Sequence, residues 1–68
     1  MAKLKELRRR RALSLRELEA KSGVSYATVW RLESGRARQA HPRTIRRLAR
    51  ALGVDNVELL ATTEGGDA

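Results

Sequence analysis

An all-α fold of five short helices around one small core is what this sequence predicts, and three observations predict it. Capping residues stand just before several apolar-periodic segments, glycines follow three of those segments, and no stretch alternates apolar with polar at period two. β-branched residues are scattered, so strands are not expected.

The first helix is expected over about Lys3 to Arg11, where Leu4 and Leu7 form one apolar stripe among Lys, Glu and Arg. Ser14 precedes Glu17 by three residues, a capping box in which each side chain satisfies the other residue's backbone N–H, and Leu13 with Leu18 forms the accompanying hydrophobic staple. A second helix therefore runs from Leu15 to just before Gly23. Ser25 caps a third helix, about Tyr26 to Ser34, with Val24 and Val29 as staple, Thr28 as the weaker box partner and Gly35 at its end. His41 and Pro42 open a fourth, in which Ile45, Leu48, Ala49 and Leu52 recur at helical spacing until Gly53. Asp55 and Glu58, flanked by Val54 and Leu59, predict a short fifth helix over about Asn56 to Ala61. Residues 1–61 thus form one domain. The acidic tail 62–68 has no apolar anchor and is expected to be disordered.

The chain has 68 residues and no cysteine, so neither a disulfide nor a thiolate metal site is available, and stability must come from packing and capping. Lys plus Arg number 15 against 8 for Asp plus Glu, and every basic residue precedes Ala51. This asymmetry makes a basic body that attracts polyanions: nucleic acid, anionic membrane or acidic protein. No apolar run approaches the ~20 residues needed to span a bilayer, and no signal-peptide core is present, so a soluble, unexported, cytoplasmic and nucleoid-associated protein is expected, with no membrane partner. An enzyme is not expected, because a lone His41 has no histidine, cysteine or carboxylate cluster at ligand or triad spacing. His41 reads instead as a helix cap. No metal, cofactor or small-molecule ligand is implied.

Between the second and third helices the chain reads Lys21-Ser22-Gly23-Val24-Ser25, a turn with glycine placed for a left-handed conformation and a cap behind it. With Leu13-Ser14, Glu17-Leu18, Thr28-Val29, Leu32-Glu33, Gly35 and the run Leu48 to Val54, this pattern resembles the Cro/C1-type, XRE-like family of helix-turn-helix proteins, from about Leu4 to Leu60. The resemblance implies a compact five-helix domain of the phage-repressor-like type, with the third helix lying in the major groove of double-stranded DNA and the second crossing above it. It further implies a transcriptional regulator, either repressor-like or the DNA-binding half of a control element such as an antitoxin or phage switch, and binding as a homodimer at least on DNA, with Leu59 and Leu60 as the dimer contact.

Helical spacing independently turns Val29 and Leu32 to the core and Ala27, Trp30, Arg31 and Ser34 outward, with Tyr26 at the leading edge. Base contacts are expected from Tyr26, Ala27, Trp30 and Arg31. Arg31 offers guanine two parallel donors, and Ala27 leaves room for a thymine methyl. Trp30 either meets methyls and sugars in the groove or folds back over the core edge, and Tyr26 either reaches DNA or packs on the turn. Phosphate contacts are expected from Leu15 and Arg16 at the start of the second helix, from Ser25 and Ser34, and from Arg36, Arg38 and Arg43. The remaining arginines of the fourth helix read as a solvated face. Arg8 and Glu33 fall where some family members carry a structural ion pair.

Three departures from the family pattern stand out. Glu19 occupies a position usually small, which obliges its carboxylate to reach the rim or a cation such as Arg8 or Arg16. Leu15 replaces a frequent glutamine, and the Gly35 to Thr44 connection is one residue longer than usual. The rival function is a basic helical adaptor for RNA or an acidic protein partner. Tyr26 and Trp30 are too few for the usual RNA-stacking platform.

Overall fold

The computed structural model describes residues 1–37, 39–56 and 58–59, and among these it contains helices and turns but no strand. Four helices are defined: α1 Ala2–Arg10, α2 Leu15–Ser22, α3 Tyr26–Glu33 and α4 Pro42–Leu52. This corrects the expectation of five. Residues 56, 58 and 59 are helical, but they form no further defined element among the described residues. Val57, Leu60 and Ala61, like the tail 62–68, lie outside the described residues. No described helix is long and apolar enough to cross a membrane.

Three of the four helices, α2, α3 and α4, start where a side chain takes an otherwise orphaned backbone N–H, whereas α1 has no side-chain cap. The Glu17 N–H donates to Ser14 Oγ at 3.0 Å, and the Ser14 N–H donates to Glu17 Oε1 at 2.7 Å, completing the capping box. At α3, Ser25 Oγ accepts from the Ala27 N–H at 3.2 Å. At α4, His41 Nδ1 accepts from the Arg43 N–H at 3.2 Å, ahead of Pro42 in the first turn. Exchange with Ser14 holds the Glu17 carboxyl below its ordinary range, chiefly through the Ser14 backbone N–H and then through its hydroxyl. Because the folded value is depressed, this contribution is present above the ordinary carboxylate pKa and disappears as pH falls through the folded one. Ser14→Ala is expected to cost about 1 kcal/mol and to lower Tm by about 4–8 °C. The pH-dependent part belongs to the Glu17 carboxylate: a Glu17→Ala deficit should shrink in thermal melts below about pH 4, where the parent's carboxylate is protonated, and a Glu17→Ala deficit unchanged between neutral and acid pH would refute this account.

The helix ends are closed by left-handed residues. Gly35 and Gly53 follow α3 and α4, and in both turns the next N–H reaches back to the last helical turn: Arg36 to the Arg31 carbonyl at 2.9 Å, and Val54 to the Ala49 carbonyl at 3.0 Å. After α1 the same bonding pattern is built without glycine. Ala12 adopts φ 57°, its N–H meets the Arg9 carbonyl, and the Leu13 N–H meets the Arg8 carbonyl at 3.1 Å.

Leu4 and Leu7 from α1, Leu18 from α2, Val29 and Leu32 from α3, and Ile45, Leu48, Ala49 and Leu52 from α4 meet in a single core, joined by Val24 from the turn. α1 packs on α3, and α2 packs on both α3 and α4. Leu59 is also in this core, with 0% of its surface exposed. It therefore cannot serve as the dimer contact expected of it, because the protomer's own helices already cover it; the companion residue Leu60 lies outside the described residues.

Candidate nucleic-acid interface

The link between α2 and α3 is short and specifically shaped. Gly23, at φ 77°, turns the chain out of α2 while its N–H donates to the Glu19 carbonyl at 2.8 Å, and the Val24 N–H donates to Ser22 Oγ. Val24 is buried beneath the turn, so the chain re-enters a helix at Ser25 with its direction anchored to the core. Burial of Val29 and Leu32 then sets the rotation of α3 and turns its other face to solvent.

On that outer face Trp30 is 45% exposed and Tyr26 40% exposed, and Arg31 and Ser34 are exposed with them. Ala27 is half-buried at its edge. Trp30 does not fold back to close the core; instead the Arg36 guanidinium stacks over its ring, 5.0 Å from the centroid. Tyr26 carries Arg16 of α2 over its ring at 4.2 Å. Neither stack has a local signal in the sequence, where Arg16 and Arg36 stand out only as separate phosphate contacts. The two stacks draw a cation from α2 and another from the α3–α4 loop onto the outer face of α3, beside Arg31. The Ser34 hydroxyl faces the Arg31 carbonyl at 3.4 Å.

The surroundings of this face carry further polar groups. Leu15 is half-buried against the core, and the backbone N–H groups of Leu15 and Arg16 belong to the first turn of α2, which has no intrahelical acceptor for them. Arg43 is exposed at the start of α4, and Ser25 is exposed at the start of α3. Arg38 lies outside the described residues.

Behind the face, Arg8 grips Glu33 with both arms of its guanidinium. Nε donates to Oε2 at 2.6 Å and Nη2 to Oε1 at 3.1 Å, while Nη1 donates to the Leu13 carbonyl at 2.7 Å. The Arg8 and Glu33 side chains are 13% and 5% exposed. The hydrogen bond to Glu33 raises the Arg8 pKa, burial opposes that rise, and the Glu33 charge adds to it. α1, the turn after it and the last residue of α3 are thereby fastened together. Glu19 is half-buried and pairs with neither suggested cation: Arg8 is held by Glu33, and Arg16 lies over Tyr26.

Two short helices packed together, a glycine turn between them and a braced second helix presenting aromatic and cationic side chains define a helix-turn-helix module. The chain belongs to the helix-turn-helix domain family, whose model matches residues 2–62. It is 41% identical over 58 residues to the uncharacterized HTH-type transcriptional regulator RghRB of Bacillus subtilis strain 168, a match covering 85% of this chain and 42% of that protein. It is 45% identical over 58 residues to the uncharacterized HTH-type transcriptional regulator y4dJ of Sinorhizobium fredii strain NBRC 101917 / NGR234, covering 85% of this chain and 74% of that protein. The chain thus spans less than half the length of the first of these relatives. No solved structure gives a significant match.

Proposed function

We propose that this chain is the sequence-specific, double-stranded-DNA-binding domain of a repressor-like transcriptional regulator, and that α3 is the helix that enters the major groove. The observation carrying this reading is the exposure of Trp30 and Arg31 on a helix whose opposite side is locked into the core. A guanidinium at Arg31 suits O6 and N7 of guanine, a contact worth roughly 1–3 kcal/mol of discrimination. Trp30 and Ala27 suit thymine methyls and sugars, and Tyr26 a base edge at the start of the helix. Leu15 and Arg16, through their N–H groups, together with Ser25, Ser34, Arg36, Arg38 and Arg43, take phosphates and fix register without reading sequence. The domain comprises residues 1–61 and acts in the cytoplasm on the nucleoid. Two copies bind a palindromic site with half-sites about one helical turn apart, pairing at least when on DNA.

Selection of bound sites from a random duplex library, followed by titration at two salt concentrations, tests this. Arg31→Ala should lose base preference at one position of the selected site. Arg36→Ala should weaken selected and random duplexes alike and lower the salt slope by about one. Enrichment of no site, or equal losses on both kinds of duplex for Arg31→Ala, would overturn the assignment.

A further inference from the structure

A furrow of about 540 Å³ runs between the end of α2 and the outer side of α4, and its cations are Lys21, Arg43, Arg46, Arg47 and Arg50. Past Lys21 and Arg50, which line both, it continues into a hollow of about 260 Å³ beside Arg11. Among the described residues, no carboxylate and no residue of α3 lines either part. We propose that this furrow is a second, sequence-independent binding surface for the phosphodiester backbone of duplex DNA, separate from the α3 face. The proposal rests on the DNA-binding reading above and adds a second duplex segment to it.

The charge arrangement is the first reason. Arg43, Arg46, Arg47 and Arg50 stand three and four residues apart on one helix, so four pairs of like charges face each other, an arrangement that weakens a helix standing alone. The basic residues of α1 are treated differently: Glu6 pairs with Lys3 and with Arg10. Among the described residues, none of the five furrow cations has a carboxylate within 4 Å, although Asp55 shares a hollow with Arg46 and Arg50 on the other flank of α4. All five are exposed. Uncompensated charge of this kind is neutralised by an external polyanion.

Shape selects a backbone over a small anion. The stripe from Arg43 to Arg50 extends about 10 Å along the helix axis at about 1.5 Å per residue. A duplex carries one negative charge per about 1.7 Å of its axis, so several phosphates meet such a stripe together. The furrow has long, exposed cations and, among the described residues, no buried polar side chain to orient a compact ligand.

The test compares the parent with a variant carrying Lys21→Gln, Arg46→Gln, Arg47→Gln and Arg50→Gln. A charge-matched control carries Lys3→Gln, Lys5→Gln, Arg9→Gln and Arg10→Gln in α1. Arg43 is left intact because it is assigned to the first DNA face. Circular dichroism establishes that each protein is folded. Protein held on an immobilised selected duplex is offered a labelled random duplex. The parent and control should capture it; the furrow variant should keep its base preference but capture at least tenfold less, with the salt slope of random-duplex binding reduced by about 3–4. Capture unchanged in the variant, or reduced equally in the control, overturns the proposal. So does loss of tripolyphosphate binding with duplex capture intact, which would make the furrow a small-anion site. If the parent binds random duplex without sequence preference and the furrow variant alone loses it, the furrow stands and the sequence-specific reading falls. Specific binding with undiminished capture gives the reverse, and no duplex binding by the parent removes both.

Discussion

Arg8→Ala should remove a large fraction of this domain's stability. Glu33 has a side chain that is 5% exposed and two oxygens held by Arg8, and truncating Arg8 would strand that carboxylate away from water while also taking the donor from the Leu13 carbonyl. Breaking such a pair from one side costs about 3–5 kcal/mol. A domain of this length has a total stability of roughly 3–10 kcal/mol, so the loss removes a large part of it. Urea and thermal unfolding followed by circular dichroism would measure this, and a Tm within about 2 °C of the parent would refute it. Arg8→Met with Glu33→Leu should recover most of the loss, because apolar groups of similar volume remove both buried charges. Since the Arg8 pKa is raised on folding, its contribution would be lost only as pH rises through that raised value. Melts between about pH 5 and 9 should therefore show no dependence arising from Arg8. The pair also reaches function: Glu33 is the last residue of α3, so a variant that survives folding should hold the far end of the reading helix less firmly.

The second large effect is expected at Leu59. Its side chain is fully enclosed by the protomer, so Leu59→Ala should cost about 2–5 kcal/mol through lost transfer energy and an unfilled cavity. Its signature separates packing within the protomer from a dimer contact. The Tm loss should be the same at two protein concentrations about 100-fold apart, and sedimentation should give the parent's distribution of species. A variant with the parent's Tm but a shifted association equilibrium would show that Leu59 acts between subunits. In the sequence, Leu59 suits both a staple and a dimer contact. An apolar residue in a short capped segment announces that it will be covered, but not by which surface.

The same limit recurs around the candidate interface. Exposure of Tyr26, Trp30 and Arg31 follows from the helical period once Val29 and Leu32 are assigned to the core, so the outer face of α3 was legible in advance. The stacks of Arg16 on Tyr26 and Arg36 on Trp30 were not, since each joins residues on different elements whose approach depends on the angle between helices. The arginines of α4 announce themselves by spacing alone. That Lys21 of α2 faces them across a furrow lined by no carboxylate among the described residues has no local signal. The sequence leaves Glu19 a choice between the rim and a cation, and the packing gives both suggested cations to other partners.

Ser14, Ser25, His41, Gly23, Gly35 and Gly53 determined where the helices begin and end, because a cap or a left-handed closing residue acts through bonds spanning at most about five residues. Even there one boundary escaped notice: Ala12 closes α1 in a left-handed turn with no glycine to mark it, and the Arg8 bond to Leu13 steadies that turn from outside the local pattern. The burial of Leu59, the cations drawn onto the aromatic rings and the furrow along α4 were decided only when the helices crossed. Those contacts join positions far apart in the chain, and their partners are chosen by the shape of the shared core.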